Sequence, residues 1–383
     1  MSALALLVHA QPDATVAWRC GQAVTRARML ADIRHLARVL PRGGHLLNAC
    51  TDRYRFAVGF AAGVLSGCTS LLPSTLTEPV IEYLRTVAAD TVLLAEQGDP
   101  AAFLAAHGAE FEGFVTSAGV GVTADMLARL PRLRAISSFG VGLDKLDLAA
   151  AQARGIAVGY TPDVLNDCVA DLAMALMLDV GRRISEADRF VRRGGWTTPG
   201  AKSFPLARKV SGAKLGIVGL GRIGQTIAKR ASGFEMDIRY HSRRPVAGVA
   251  WAHEPSLIEL ARWCDYLVVI TAGGAATRHL VNDAVLEALG PRGFVINVAR
   301  GSVIDEAALV RALADKRIAG AGLDVFENEP NVPRALFELD NVVLLPHIAS
   351  GTEETRQAMA DRVFDNLQGF FRDGRMVSPA PLP

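Results

Sequence analysis

The sequence predicts an α/β protein with a doubly wound parallel sheet and a second, smaller α/β unit. Two observations carry this prediction. Between residues 211 and 346, short runs rich in Val, Ile and Leu alternate with helical stretches, a pattern typical of parallel strands covered on both faces. A Gly-x-Gly-x-x-Gly motif directly follows the first of these strands. The chain of 383 residues is 50% hydrophobic, which provides for two or three domains and excludes a mainly disordered protein.

The larger unit is predicted to contain six strands and four helices. The strands are expected at 214–218, 237–240, 266–270, 293–297, 319–323 and 342–345. The helices between them are expected at 223–232, 256–263, 283–289 and 306–316. This succession is that of a Rossmann sheet, in which ligands bind beyond the carboxyl ends of the strands.

The smaller unit is predicted from strands at 113–116, 135–137 and 155–158, separated by helices at 123–130 and 146–153. A long apolar helix follows at 163–178, with Pro162 and Asp163 at its expected start. A last helix, at 353–370, finds no place in the larger sheet, so we expect it to return to the smaller unit. The smaller unit is therefore predicted to be discontinuous in sequence.

Charge and cysteine content exclude several classes of protein. Lys and Arg number 41 against 39 Asp and Glu, so the chain lacks the basic surplus expected of a partner of nucleic acids or acidic membranes. Five scattered cysteines without a Cys-x-x-Cys motif predict neither a disulfide framework nor a zinc site. The uncharged run at 56–77 turns polar from Ser66 onward, so we expect no membrane span and a cytoplasmic protein.

The glycine motif predicts a dinucleotide site. Gly219 permits a tight turn, Gly221 lets the backbone approach a pyrophosphate, and Gly224 lets helix and strand pack closely. The helix that follows would offer free amides and partial positive charge to the phosphates. The candidate contacts here are Gly219, Gly221, Arg222, Ile223 and Gly224.

The residues after the second strand favour NADPH. NAD sites usually carry an acid at the end of this strand, whereas here it is followed by Ser242, Arg243 and Arg244, which suit a 2′-phosphate. Two alternatives remain: Asp237, inside the strand, could bind the ribose of NAD, or the two arginines could be solvated loop charges.

Three polar residues follow later strands of the same sheet and predict a reduction of 2-oxo acids. Arg300 can hold the substrate oxygens, and protonated His347 can give a proton to the nascent alkoxide. Glu329 beside the imidazole would orient it and favour its protonated form. Each has a structural alternative: His347 as a packed loop residue, Glu329 as a loop acid, and Arg300 as an ion-pair partner of Asp305.

These residues belong to motifs that resemble one family across residues 101–379. The chain resembles the D-isomer-specific 2-hydroxyacid dehydrogenases, most of all their glyoxylate/hydroxypyruvate and hydroxyphenylpyruvate reductases. The matching runs are Ser137-Ser-Phe-Gly-Val-Gly-Leu-Asp144, Tyr160-Thr-Pro-Asp-Val-Leu-Asn166, Val169-Ala-Asp-Leu-Ala173, Val218-Gly-Leu-Gly-Arg-Ile-Gly224, Asn297-Val-Ala-Arg-Gly301, Gly322-Leu-Asp-Val-Phe326 with Glu329-Pro330, and Leu345-Pro-His347. One departure is Thr271-Ala272-Gly-Gly, where many relatives carry proline.

The resemblance implies roles and domain boundaries. Arg300 would bind the oxo and carboxylate groups, with the amides of Val141 and Gly142 also on the carboxylate, and Glu329 and His347 would be the acid–base pair. Asp324 would meet the nicotinamide amide, and Val298 is a further candidate cofactor contact. The family's flavodoxin-like substrate domain corresponds to 68–160 and 347–383 and its nucleotide domain to 161–346. Family members are typically homodimers, which here implies an arm at about 183–210.

The first 67 residues have no place in a plain dehydrogenase. Segments at 69–73, 78–87 and 91–95 are expected to supply the strand, helix and strand that open the substrate domain. The stretch from 17 to 73 instead resembles the start of acyl- or aryl-adenylating ligases, but the phosphate loop of those enzymes is missing from the sequence. We therefore predict no adenylation activity.

The sequence as a whole predicts a reductase of small 2-oxo acids that prefers NADPH and forms the D-2-hydroxy acid. Glyoxylate and hydroxypyruvate are the first expected substrates, and aryl-pyruvates the second. One alternative is an NAD-linked dehydrogenase working oxidatively, for which Asp237 would be diagnostic. The other is a catalytically silent dinucleotide sensor, which predicts dinucleotide binding without turnover and an arrangement of Arg300, Glu329 and His347 too open to react.

Overall fold

The computed structural model describes residues 11–19, 22–40, 42–43, 45–50, 53–71, 91–95, 108–196 and 204–381. The chain divides into two compact units, one formed by residues 1–112 and 124–133 and the other by 113–123 and 134–383. No helix within the described ranges is both long and apolar enough to cross a membrane.

The first unit contains a hairpin and a three-stranded parallel sheet. The described elements are β1 (Thr15–Arg19), β2 (Gln22–Thr25), α1 (Arg26–Val39), β3 (His45–Ala49), α2 (Arg53–Leu65), β4 (Thr69–Leu71), β5 (Thr91–Ala95) and α3 (Ala124–Ala128). The sheet has the order β4-β3-β5, so strands on both sides of the expected boundary at 67 pair with one another. The domain boundaries stay predictions, and the expected helix at 78–87 lies outside the described residues.

The second unit contains two parallel sheets and most of the helices. Its elements are β6 (Gly113–Ser117), β7 (Ala135–Phe139), α4 (Leu148–Ala153), β8 (Ala157–Gly159), α5 (Asn166–Arg182), α6 (Ile184–Arg192), β9 (Lys214–Val218), α7 (Arg222–Ser232), β10 (Asp237–His241), β11 (Ala252–His253), α8 (Leu257–Trp263), β12 (Tyr266–Val269), α9 (Asp283–Leu289), β13 (Phe294–Asn297), α10 (Glu306–Ala314), β14 (Gly320–Leu323), β15 (Val342–Leu344) and α11 (Glu353–Asp373).

The larger sheet confirms the predicted fold class. Its seven parallel strands have the order β11-β10-β9-β12-β13-β14-β15. The strand order reverses between β9 and β12, and such a switch point opens a crevice beyond the carboxyl ends of the strands. β11 was missed because two residues are too short to show a pattern. The central strands are buried along their whole length, as the apolar runs predict.

The long helix α5 begins later than predicted. It starts at Asn166 rather than at Asp163, and Asp163 has a left-handed backbone with φ of 71°. The Asp163 carboxylate lies 3.1 Å from Nε of Arg222 and so pairs with the glycine-turn helix instead of capping α5. Helix α5 ends at Arg182, because Arg183 is left-handed with φ of 57°.

Helix α11 packs against β7 and β8 of the smaller sheet, which has the order β6-β7-β8. Asn366 of this helix is fully buried and forms hydrogen bonds with three partners. Its Nδ2 donates to the Tyr160 carbonyl (3.0 Å) and to Oγ of Ser137 (3.3 Å), and its Oδ1 accepts from the Ser378 amide (2.8 Å). The smaller sheet is thus completed by residues from the far end of the chain.

Candidate active site

The turn after β9 has the geometry that a dinucleotide demands of its glycines. Gly219 has φ of 102°, and a Cβ there would lie 2.8 Å from the Thr271 backbone. A Cβ at Gly224 would overlap the carbonyl oxygen of Gly219, whereas a Cβ at Gly221 would meet no atom within 4 Å. Two glycines therefore serve internal packing, and the middle one leaves open space beside the backbone.

The amides at the start of α7 are available to an anion. The amides of Arg222, Ile223 and Gly224 donate to no described residue, as expected of the first turn of a helix. The Arg222 side chain, in contrast, is engaged, because its Nη1 donates to the Tyr160 hydroxyl (3.3 Å). This hydrogen bond, together with the charge of Asp163, raises the Arg222 pKa. Open space at Gly221 and three free amides fit the pyrophosphate of a dinucleotide.

The residues after β10 lie at the carboxyl end of the sheet, where the adenosine of a dinucleotide binds. Arg243 and Arg244 are exposed, and neither forms an ion pair with a residue in the described part of the chain. The Ser242 hydroxyl donates to the Arg244 carbonyl at 2.6 Å and so folds this loop.

Asp237, the alternative ribose ligand, lies at the opposite end of β10. It pairs with Lys214 at the amino end of β9, whereas His241 pairs with Val218 beside the glycine turn. Four residues of strand separate the two ends by roughly 13 Å. Asp237 therefore lies too far from the crevice to bind a ribose there.

His347 and Glu329 are in direct contact. Nδ1 of His347 lies 2.8 Å from Oε2 of Glu329, and their side chains are 45% and 36% exposed. The Phe326 amide donates to the other carboxylate oxygen at 3.0 Å, which fixes the carboxylate plane. His347 itself has a left-handed backbone with φ of 55°. Because Nδ1 of His347 contacts Glu329, the other ring nitrogen, Nε2, remains available to a substrate.

The surroundings of Glu329 favour its ionised form. Partial burial acts to raise its pKa, but the hydrogen bond and charge of His347 outweigh burial, helped by the Phe326 amide and the charge of Arg300. The net effect is a pKa below the ordinary 4.5. Glu329 is therefore a carboxylate at neutral pH and can accept a hydrogen bond from the Nδ1–H group of His347.

This lowered pKa predicts how the stability of the protein depends on pH. A carboxyl whose pKa is lower in the folded than in the unfolded state stabilises the fold above its unfolded pKa, and the contribution disappears as pH falls through the folded value. We expect the difference in unfolding free energy between the wild type and Glu329→Gln to shrink as the pH falls below about 4.5. Urea denaturation across this range measures it. A difference that stays the same or grows as the pH falls from about 5 to 3 would contradict the carboxylate assignment.

Asp324 fastens the loop that carries His347. Its side chain is fully buried, and its two carboxylate oxygens accept the amides of Ile348 (2.7 Å) and Ala349 (2.9 Å). The Asp324 carbonyl also accepts the His347 amide at 2.9 Å. Burial raises the Asp324 pKa against the lowering effect of the two amides. Its expected contact with the nicotinamide amide stays a prediction.

Arg300 is presented by a loop that Asn297 shapes. Nδ2 of Asn297 donates to the Arg300 carbonyl (3.0 Å), and its Oδ1 accepts the Ala299 amide (3.1 Å). Nη1 of Arg300 donates to the Ala299 carbonyl at 2.8 Å. The alternative pairing with Asp305 is not observed, because that carboxylate caps α10 by accepting the Ala308 amide (2.9 Å). Val298 is buried, and its amide donates to the Val269 carbonyl (3.2 Å) within the sheet.

Val141 and Gly142 lie beside Arg300. The amides of Val141 and Gly142 donate to no described residue, and a Cβ at Gly142 would overlap Nη2 of Arg300. Free amides and a guanidinium in contact form a suitable site for a carboxylate. Sequence reasoning missed Asp144, whose Oδ1 accepts from Nε of Arg300 at 3.3 Å. Its only sequence signal was its place in the matching run at 137–144.

Comparison with known proteins finds relatives that are dehydrogenases and reductases of 2-oxo or 2-hydroxy acids. The profile described as D-isomer specific 2-hydroxyacid dehydrogenase, NAD binding domain, matches residues 174–349. A hydroxyphenylpyruvate reductase of Plectranthus scutellarioides is 47% identical over 277 residues, covering 72% of this chain and 88% of that protein. A glyoxylate/hydroxypyruvate reductase A of Arabidopsis thaliana is 47% identical over 276 residues, covering 72% and 87%.

Among solved structures, one similar fold is an NADPH-dependent glyoxylate/hydroxypyruvate reductase of Sinorhizobium meliloti in complex with NADP and malonate. It is 41% identical, with a TM-score of 0.70, and the match covers 88% of this chain and 96% of that one.

Proposed function

Because the chain belongs to the family of D-isomer-specific 2-hydroxyacid dehydrogenases, we propose that it reduces small 2-oxo acids to D-2-hydroxy acids and prefers NADPH. The observation that carries the proposal is that three side chains of suitable chemistry lie at one edge of the sheet. Arg300, Glu329 and His347 follow the adjacent strands β13, β14 and β15. Nδ1 of His347 lies 2.8 Å from Oε2 of Glu329, and the positive charge of Arg300 helps to lower the pKa of Glu329.

Each side chain has a defined task in this reaction. Nη2 of Arg300 and the amides of Val141 and Gly142 bind the substrate carboxylate and orient its 2-oxo group. A nicotinamide cofactor, when bound, supplies the hydride to the carbonyl carbon. His347 donates the proton on Nε2 to the oxygen that becomes the hydroxyl, while Glu329 accepts the Nδ1 hydrogen bond and balances the imidazolium charge. The three free amides of α7 and the turn at Gly221 would hold the pyrophosphate.

NADPH is proposed as the preferred cofactor because the residues after β10 are cationic. A 2′-phosphate carries negative charge and pairs well with guanidinium groups, and Arg243 and Arg244 are exposed with no ion-pair partner in the described ranges. Asp237 is too far along β10 to repel it. The NAD-linked alternative therefore lacks its diagnostic acid at the ribose.

The test is a matrix of initial rates with glyoxylate, hydroxypyruvate and 4-hydroxyphenylpyruvate, each with NADPH and NADH. We expect turnover with at least one acid and a higher kcat/KM with NADPH. The best substrate then defines the branch of the family. Cofactor binding without turnover of any acid would reject the reductase and favour a silent sensor.

The same initial rates, measured with NADPH and with NADH on the double variant Arg243→Ala/Arg244→Ala, test the role of the two arginines. Loss of both guanidinium groups is expected to raise the KM for NADPH by about 10- to 100-fold, because two exposed charged pairs at about 1 kcal/mol each together contribute about 2 kcal/mol. The KM for NADH should stay unchanged. An equal effect on both cofactors would show that the arginines do not recognise the 2′-phosphate.

The same proposal includes a homodimer formed through the arm at about 183–210. The described part of this arm exposes several large apolar side chains, among them Trp196, which is 76% exposed, and Leu206, which is 97% exposed. Burial of such residues against a second subunit would remove them from water. Light scattering of the purified protein measures the number of subunits.

A further inference from the structure

The guanidinium of Arg300 is held by a carboxylate from the other sheet of the same unit. Nε of Arg300 lies 3.3 Å from Oδ1 of Asp144, and the two side chains are only 23% and 15% exposed. Arg300 follows β13 of the larger sheet, whereas Asp144 lies in the loop after β7 of the smaller one. Limited exposure strengthens such a pair relative to the exposed ion pairs of the surface.

The chain leaves space for this pair. A Cβ at Gly273 would lie 2.7 Å from Cγ of Arg300 and 3.4 Å from Cγ of Asp144. Gly142 in the same way leaves room for Nη2 of Arg300. A side chain at Gly142 would displace the guanidinium, and one at Gly273 would displace the aliphatic part of Arg300, so the position of Arg300 depends on both loops.

The loop that carries Asp144 is itself fixed. The Leu146 amide donates to the Leu143 carbonyl (3.0 Å), and the Val122 amide donates to the Lys145 carbonyl (3.0 Å). Nζ of Lys145 donates to the Gly119 carbonyl at 2.8 Å. The Asp144 carboxylate is therefore presented from a braced turn and not from a freely moving segment.

We propose that Asp144 is a positioning residue for the reaction, which fixes Arg300 in the orientation that receives the 2-oxo acid. A guanidinium has five N–H donors. Nε–H is committed to Asp144 and one Nη1–H to the Ala299 carbonyl. The remaining donors, including both on Nη2, are left for the substrate beside the Gly142 amide. This inference rests on the proposed function, since it requires Arg300 to bind the substrate.

Asp144→Ala and Asp144→Asn test the proposal by a split between KM and kcat. We expect Asp144→Ala to raise the KM for glyoxylate or hydroxypyruvate by about tenfold or more, with a smaller fall in kcat and an unchanged KM for NADPH. Asp144→Asn should recover most of this loss, because its amide oxygen still accepts from Nε. A substrate KM within about twofold of wild type in Asp144→Ala would overturn the proposal.

Two further variants separate positioning from a general effect on the fold. Gly273→Ala crowds Cγ of Arg300 without removing charge and should raise the substrate KM in the same way. Asp125→Asn breaks an exposed pair with Arg129 (3.0 Å) and serves as the matched control with no expected kinetic change. Thermal unfolding and NADPH titration of every variant check that the fold and cofactor site persist.

A double-variant comparison distinguishes failure of this inference from failure of the proposed function. In an Arg300→Ala background, Asp144→Ala should lower kcat/KM no further, because the carboxylate acts through the guanidinium. Additive losses would overturn the positioning role. If the wild type turned over no 2-oxo acid with either cofactor, the proposed function would fail, and if Arg300→Ala left turnover intact, Arg300 would not be the substrate ligand. If it abolished turnover while Asp144→Ala left the substrate KM unchanged, only the present inference would fail.

Discussion

His347→Asn is expected to lower kcat for 2-oxo acid reduction by about 10²- to 10⁴-fold, the range that a general acid contributes. Asparagine tolerates the left-handed backbone of His347, with φ of 55°, but it cannot deliver a proton. The affinity for NADPH should stay the same, since the imidazole serves the substrate carbonyl. Steady-state kinetics give kcat, and quenching of protein fluorescence on titration with NADPH gives the dissociation constant.

A matched control is available in a second histidine–glutamate pair. Nε2 of His279 lies 3.0 Å from Oε1 of Glu327, and His279 is also left-handed, with φ of 50°. His279→Asn removes an imidazole from a carboxylate in a similar backbone setting and should leave kcat unchanged. Normal kcat in His347→Asn would remove this residue from the mechanism.

Arg300→Ala is expected to lower kcat/KM by about 10²- to 10³-fold, because removal of one partner from a charge-paired contact costs roughly 3–4 kcal/mol. The loss should appear in the substrate KM as well as in kcat, since the guanidinium both binds the carboxylate and orients the oxo group. Arg300→Lys should recover little, because an ammonium cannot reproduce the planar fork held by Asp144 and the Ala299 carbonyl. Initial rates over a wide range of substrate concentration separate the two parameters.

Arg317→Ala is the control for loss of a paired arginine. Arg317 forms ion pairs with Asp283 (2.8 Å) and Glu287 (3.3 Å), both on helix α9, and lies in no part of the proposed site. The Arg317→Ala variant should be somewhat less stable than the wild type but should keep its kcat/KM. If Arg300→Ala retained kcat/KM within tenfold of wild type, another residue would have to bind the substrate carboxylate.

The sequence was sufficient for six of the seven strands of the larger sheet and for the contact of His347 with Glu329. Both residues follow neighbouring strands of a parallel sheet, so their strand-end positions alone bring them to one edge. The role of Asp144 could not be predicted in this way. It stands 156 residues from Arg300, and their contact depends on how two separate sheets face each other.

Local patterns also failed where a distant partner changed the outcome. Asp163 has the sequence context of a helix cap, but its carboxylate pairs with Arg222 and the helix begins three residues later. In the first unit, residues 69–71 and 91–95 form strands as expected, and both pair with β3, a neighbour that the sequence did not indicate; their place in the substrate domain stays a prediction. Propensity specifies that these segments are strands, and the choice of neighbour is made by tertiary contacts.

The central place of β3 determines what removal of residues 1–67 would do to the sheet of the first unit. A strand between two neighbours supplies hydrogen bonds on both of its edges. A shortening of the gene to codon 68 would delete β3 and leave the backbone groups of β4 and β5 without their shared partner. Residues 45–49 therefore belong to the same sheet as residues 69–71 and 91–95, and a chain without them would leave those two strands to find new partners.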